Sequence, residues 1–203
     1  MFDPIATCKE KNCDGCEVAS RVHCHFRISD WFKFIVIAVP PIIVGAVGAF
    51  GLGTAWGVAY LLVLAGFFGL LEIRAMCSHC PHYAEPGSTL KCWANYGSPK
   101  LWKYRPGPMS IGEHTLFLGG LALVYALPLL LLVILGWWVL LAIDAALTIV
   151  FVLVLRLRFC IQCMNFACTL NRTPQEVREV FWRKHPRVAE AWGKKSGGQG
   201  SSD

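Results

Sequence analysis

TLFLGGLALVYALPLLLLVILGWWVLLAIDAALTIVFVLVL forms residues 115–155, and Asp144 is the only charged residue in this stretch. An earlier stretch, residues 34–71, contains no charged residue. A transmembrane helix needs about 20 apolar residues to cross roughly 30 Å of hydrocarbon, so each stretch is long enough for two helices. Charged residues make up 16% of the chain, against about 25% in soluble proteins. The sequence therefore predicts an all-α, polytopic membrane protein with a bundle of four transmembrane helices.

Short glycine-containing links divide each apolar stretch into a hairpin of two helices. Pro40-Pro41 is expected to kink the first helix or to divide it into two halves. We place the first hairpin at 31–73, with helices at about 31–50 and 54–73, and the second at 113–155, with helices at about 113–134 and 137–155. The other segments are a Cys-rich N-terminal segment at 1–30, a central loop at 74–112, a Cys-rich segment with a short helix at 156–193, and a disordered tail at 194–203.

The cationic residues predict the orientation of the spans. The chain has 19 Lys and Arg residues, and neither short link within a hairpin contains one. Lys and Arg concentrate in the cytoplasmic loops of membrane proteins. We therefore expect a multi-pass protein of the cell membrane with both termini and the central loop in the cytoplasm. The N-terminus lacks a basic segment followed by a short apolar stretch, so no cleavable signal peptide is predicted.

The ten cysteines fall into three groups, and each group lies next to the cytoplasmic end of a predicted span. A helix bundle brings the ends of its helices together, so we expect the groups to converge as a Cys-rich cytoplasmic head. The first group precedes span one, the second follows span two, and the third follows span four. They are Cys8, Cys13, Cys16 and Cys24; Cys77, Cys80 and Cys92; and Cys160, Cys163 and Cys168.

Metal binding is the chemistry that this cysteine pattern favours. The cytosol is reducing, so stable structural disulfides are not expected there. Two cysteines separated by two residues can ligate the same metal ion, and the chain has three such pairs: Cys13/Cys16, Cys77/Cys80 and Cys160/Cys163. We therefore treat all ten cysteines as candidate ligands, against the alternative of buried or redox-active free thiols. His79 and His82, beside the second group, are further candidate ligands.

Asp144 and Glu72 are the two acidic residues nearest the predicted bundle interior. Asp144 lies near the middle of span four, where an ionisable residue indicates a proton or ion site. The alternative is a protonated or hydrogen-bonded packing contact with Thr148, Tyr60 or Tyr125. We interpret Glu72, at the inner end of span two, as an interfacial residue rather than a proton relay.

Two further segments carry predictions about surfaces. Lys100, Lys103 and Arg105 alternate with aromatic residues in the central loop, which favours contact with anionic lipid headgroups. The sequence Thr173-Pro174-Gln175-Glu176 predicts a helix that begins with a capping box and has proline at its first position. That short helix is expected to lie on the bilayer or to cover the metal-binding residues.

The hypothesis that best fits these features is a membrane-anchored iron–sulfur protein that passes electrons between a cytosolic partner and a quinone or membrane enzyme. Tetrathiolate sites suit both zinc and iron–sulfur clusters, so the metal stays open at this point. One alternative is a zinc-stabilised scaffold or assembly factor without redox chemistry, and another is a thiol-based carrier or sensor of soft metals. We expect a non-catalytic redox or scaffold subunit, with the lipid bilayer as a partner and no nucleic-acid partner.

Overall fold

The computed structural model describes residues 14–19 and 21–194. The described residues are 64% helical and form no strand. Four helices are long and apolar enough to span a membrane. The all-α class and a bundle of four apolar, membrane-length helices are therefore confirmed. The predicted ligands Cys8 and Cys13, and the predicted tail from residue 195 onward, lie outside the described residues.

The four membrane-length segments are Ile28–Leu52, Thr54–His79, Ile111–Ile134 and Trp138–Phe159. Helix α1 is Ile28–Leu52, and the second segment consists of α2 (Thr54–Gly66), a π-helical turn (Phe67–Leu71), α3 (Glu72–Ala75) and a 3₁₀ turn (Cys77–His79). Helix α4 is Ile111–Ile134, and α5 (Trp138–Val154) ends in a second π-helical turn (Leu155–Phe159). Outside the bundle lie a 3₁₀ turn (Pro81–Ala84), α6 (Gln175–Lys184) and α7 (Pro186–Ala191).

Helix α1 is the central packing element, because it contacts α2, α4 and α5. Pro40 and Pro41 lie inside this helix without dividing it, so the predicted division into two halves does not occur.

Proline removes one backbone donor and leaves a carbonyl four residues earlier without its helical partner. In α4 this loss is compensated: the Tyr60 hydroxyl donates to the carbonyl of Val124, four residues before Pro128, at 2.7 Å.

The two hairpins place their polar segments at one end of the bundle. Arg74 Nη1 lies 3.0 Å from Glu113 Oε1, which joins the end of span two to the start of α4. Asn165 Nδ2 donates to the carbonyl of Met76 at 3.1 Å, which joins the segments that follow spans two and four. We call this end the loop-rich end; it comprises residues 14–19, 21–27, 76–110 and 160–194. The links around Gly53 and Gly136 lie at the opposite end.

Close contact between the second segment and α4 depends on a glycine. A Cβ atom at Gly120 would overlap the ring of Phe67, which is only 2% exposed and has little room to move. Gly119, the neighbouring residue in α4, has open space at the corresponding position. Phe67 opens the π-helical turn, so this contact fixes where span two approaches α4.

We predict that Gly120→Ala lowers the free energy of unfolding by about 1–3 kcal/mol, because the added methyl group overpacks the contact with Phe67. Gly119→Ala is the matched control, and it should raise helix stability by roughly 0.5–1 kcal/mol because alanine favours the helix and meets no neighbour. Thermal unfolding of both variants in detergent measures the difference. Equal melting temperatures would contradict the packing described for Gly120.

Candidate metal centre

A cavity lies where the four-helix bundle meets the loop-rich end, and cysteine side chains line it. Three of them come from the segment after span two, and three come from the segment after span four. The six lining cysteines are Cys77, Cys80, Cys92, Cys160, Cys163 and Cys168. The structure therefore brings together the second and third cysteine groups, which are about 70 residues apart in the sequence. None of the eight described cysteines forms a disulfide.

The cavity is larger than a single ion requires. Its volume is about 90 Å³, whereas a cavity of about 10–15 Å³ is enough for one water molecule. Among residues 14–19 and 21–194, no group of three or more His, Cys, Asp or Glu side chains is placed to hold one metal ion. The thiols thus surround a space instead of converging on a point.

Four of the six thiols share a local backbone arrangement. In each case the N–H of the residue two positions later donates to the sulfur. The four pairs are His82 with Cys80, Ala94 with Cys92, Asn165 with Cys163, and Leu170 with Cys168. Hydrogen bonds from backbone N–H groups stabilise the thiolate over the thiol. Among the six cavity cysteines, this arrangement identifies the sulfurs that the fold prepares for negative charge.

The other two cavity cysteines have different neighbours. Cys77 accepts a hydrogen bond from the side-chain Nδ2 of Asn95 at 3.3 Å. Cys160 lies near the exposed Arg156 and Arg172, whose charges lower its pKa. Burial has the larger effect, however, and raises the pKa of Cys160 to about 11.

Burial also governs the ionisation of the four cysteines with backbone donors. It raises the pKa of Cys80, Cys92 and Cys163 above the usual range for a thiol, and that of Cys168 to about 12. The thiols also interact electrostatically with one another, since Cys80, Cys168 and Cys92 each contribute to the raised pKa of Cys163. At neutral pH these groups stay protonated unless a cation balances their charge, so a bound metal must displace their protons.

Side-chain hydrogen bonds fix the loop that carries Cys163. Asn171 Nδ2 donates to the carbonyl of Cys163 at 2.7 Å and to that of Asn165 at 3.0 Å. The hydroxyl of Thr173 donates to the same Cys163 carbonyl at 2.9 Å. Arg178 in turn donates to Asn171 Oδ1 at 2.9 Å. These contacts hold the cysteine loop in position from the side of α6.

The predicted capping box at the start of α6 is wrong. The helix begins at Gln175, and Pro174 precedes it without a side-chain cap. The reason is that the hydroxyl of Thr173 is bonded to the Cys163 loop. Val177 and Phe181 of α6 are fully buried against the loop-rich end, so this helix covers the cysteine segments.

The two candidate histidines occupy different places. His82 lines the cavity, and its Nδ1 lies 2.6 Å from Glu85 Oε1. A carboxylate at one ring nitrogen is the arrangement that orients metal-binding histidines, because it leaves Nε2 as the coordinating atom. His79 is not among the cavity-lining residues; its Nδ1 lies 3.2 Å from the carbonyl of Gly107, and its Nε2 3.3 Å from Glu113 Oε2.

The described cysteines of the first group do not line the cavity, although the apolar cluster against which they pack includes Cys80. Cys16 and Cys24 are partly buried and pack against the apolar cluster of α6 and α7. The N–H of Val18 donates to the sulfur of Cys16, and Lys184 Nζ lies 3.4 Å from it. Both contacts lower the pKa of Cys16, opposite in direction to the cavity thiols.

Glu72 is a cavity residue that the sequence analysis did not identify as one. Its side chain is buried in the cavity wall, and Oε2 has no hydrogen-bond partner. It sits one helical turn before Cys77, on the face that turns inward after the π-helical turn. Hydropathy places Glu72 at the end of the span because the residue is charged. Only the direction of its side chain shows that it lines the cavity.

Asp144 lies away from the cavity, inside the bundle. It is 1% exposed, and neither carboxylate oxygen has a hydrogen-bond partner. The alternative of a hydrogen-bonded packing contact to Thr148, Tyr60 or Tyr125 is therefore not supported by the structure.

The cationic loop turns partly inward. Arg105 Nη2 donates to the carbonyl of Arg74 at 2.9 Å and also contacts Glu113. Lys100 donates to the carbonyl of Glu85, whereas Lys103 is exposed. Of the three cations predicted to face lipid headgroups, Arg105 thus attaches the loop to the bundle, and Lys100 makes a contact within the loop.

We predict that metal-free protein is alkylated at Cys16 at least about tenfold faster than at Cys80 or Cys163 near pH 7, because a difference of one pKa unit changes the thiolate fraction tenfold. Mass spectrometry of peptides after timed treatment with iodoacetamide measures the rates. Unfolded protein provides the control, since the rates should then become similar. Equal rates in the folded protein would show that the cavity thiols are not protected as described.

Comparison with known proteins yields no match to this chain, whether with protein-family models, with curated sequences or with solved structures. No relative therefore supplies a function or a ligand set. The cavity and the elements that surround it are the features that bear on function.

Proposed function

We propose that this protein is an integral membrane iron–sulfur protein that transfers electrons at the cytoplasmic face. The observation that carries this proposal is a cavity lined by buried and partly buried thiols from two separate segments. In an iron–sulfur cluster each iron takes its own cysteine thiolate, so the thiolates are spread around the cluster. A tetrahedral zinc site instead requires four donor atoms at about 2.0–2.3 Å from one point.

We assign the four cluster ligands as Cys80, Cys92, Cys163 and Cys168. These cavity thiols each accept a backbone N–H from the residue two positions later. Such donors stabilise the sulfur charge and help to set the reduction potential of a cluster. Two ligands come from each segment, so the cluster would also tie the two segments together.

The distribution of charge supports a cytoplasmic location of the cluster. Every Lys and Arg between residues 21 and 194 lies at or near the loop-rich end. The positive-inside rule then places this end, with the cysteines, in the cytoplasm. Iron–sulfur clusters and free thiols are compatible with that reducing compartment.

The surroundings of the cavity suit an electron-transfer subunit without its own substrate chemistry. The exposed Arg156 and Arg172 near Cys160 offer a basic surface to an acidic cytosolic electron carrier. On the membrane side the cavity wall consists of aromatic residues, among them Phe34, Tyr125 and Phe151. A quinone in the adjacent leaflet or a membrane enzyme would exchange electrons with the cluster from that side.

A series of six Cys→Ser variants tests the ligand assignment. We predict that anaerobically purified wild-type protein contains iron and acid-labile sulfide in equal amounts. Serine at position 80, 92, 163 or 168 should remove most of both, because a cluster needs four thiolates. Cys77→Ser and Cys160→Ser are the matched controls inside the same cavity, and they should retain the cluster.

Two results would contradict the proposal. Colourless protein with one or two zinc ions per chain would indicate a zinc-stabilised scaffold, and reversible binding of copper or another soft metal without sulfide would indicate a carrier or sensor. Loss of the cluster in Cys77→Ser or Cys160→Ser, with retention in one of the other four variants, would overturn the ligand assignment alone.

A further inference from the structure

The apolar parts of the four spans contain very few titratable side chains. In residues 34–71 and 115–155 there are three: Tyr60, Tyr125 and Asp144. They belong to three different helices, α2, α4 and α5. The fold places Tyr60 beside Tyr125, since the Tyr60 hydroxyl donates to the carbonyl of Val124, the residue before Tyr125, and Tyr60 is also within electrostatic range of Asp144.

Packing does not account for Asp144. Both of its carboxylate oxygens are buried without a hydrogen-bond partner, and so is Oγ1 of Thr148, one helical turn later. Buried polar groups are normally hydrogen-bonded. An acidic residue at the centre of a transmembrane helix costs about 2.5–3.5 kcal/mol, which makes a function the default interpretation.

The three side chains lie in sequence along the bundle. Asp144 follows Trp138, the first residue of α5, by six positions, which is about 9 Å along the helix from the end opposite the cavity. The hydroxyl of Tyr60 reaches the carbonyl of Val124 at 2.7 Å. The hydroxyl of Tyr125 lies farther toward the loop-rich end, 3.5 Å from the carbonyl of Ala38.

The row ends at the thiol-lined cavity. Tyr125 lines this cavity, and so does Glu72, with which Tyr125 interacts electrostatically. Buried polar side chains therefore occur at intervals from near the opposite membrane face to the cavity. The facing part of α1, residues 34–52, contributes no titratable side chain to it.

We propose that Asp144, Tyr60 and Tyr125 form a proton path between the opposite membrane face and the thiol-lined cavity. Asp144 accepts a proton from that face, and the tyrosine hydroxyls relay it by accepting one proton and donating another. Glu72 in the cavity wall receives the proton and releases it to water at the loop-rich end, so that one proton leaves for each that enters. The bond to Val124 orients the Tyr60 hydroxyl for this exchange. The path does not depend on which group occupies the cavity, so it can fail while the iron–sulfur proposal stands.

Proton uptake into liposomes tests the path. Purified protein is reconstituted with a pH-sensitive dye inside, and a potassium diffusion potential set by valinomycin drives proton entry. Wild-type protein should acidify the interior faster than protein-free liposomes do. Asp144→Asn should slow this uptake by about a hundredfold or more, the usual contribution of a positioned proton-transfer group. Tyr60→Phe and Tyr125→Phe should also slow it, whereas Asp144→Glu should retain it.

Asp30→Asn is the matched control, because Asp30 is a buried carboxylate at the start of α1, outside the row. It should leave uptake unchanged. Elution volume and circular dichroism establish that each variant is folded, which is expected for Asp144→Asn since it removes an unpartnered carboxyl group. Uptake at the wild-type rate in Asp144→Asn would overturn the proposal, and so would absence of uptake in both oxidised and reduced wild-type protein.

Discussion

Sulfur atoms buried in a low-dielectric cavity can ionise only if a cation balances their charge, and this constraint organises the loop-rich end. Burial raises the pKa of Cys80, Cys92, Cys163 and Cys168, while backbone N–H groups point at the same four sulfurs. The two effects oppose each other in the metal-free protein. A metal cluster resolves the opposition, because it supplies the positive charge that lets the thiolates use their hydrogen bonds.

The membrane bundle provides the rigid frame for this arrangement. Each hairpin delivers one cysteine segment to the same end, and a π-helical turn precedes each of them. An extra residue in a turn rotates the side chains that follow, and such turns are frequent at functional sites. The loop that carries Cys163 is then held from the outside by Asn171, Thr173 and α6. The thiol-lined cavity thus depends on contacts from both the bundle and the loops.

Sequence periodicity and charge predicted the four apolar helices well, because spans of this length have one structural solution in a membrane. The cysteine spacing suggested metal pairs but could not identify the ligands, which depend on where backbone N–H groups point. The position of Glu72 in the cavity wall was not predicted for a similar reason, since it depends on the direction of the side chain after the π-helical turn. The sequence named Tyr60 and Tyr125 as possible partners of Asp144, but their order along the bundle depends on how three helices pack.

The central claim is that thiolates from two segments enclose one polynuclear metal group. X-ray absorption at the iron edge of anaerobically purified wild-type protein tests it most directly. The account predicts iron surrounded by sulfur, with a second iron at the short distance found within a cluster. Iron bound only by nitrogen and oxygen, or a protein that contains zinc and no iron, would contradict it.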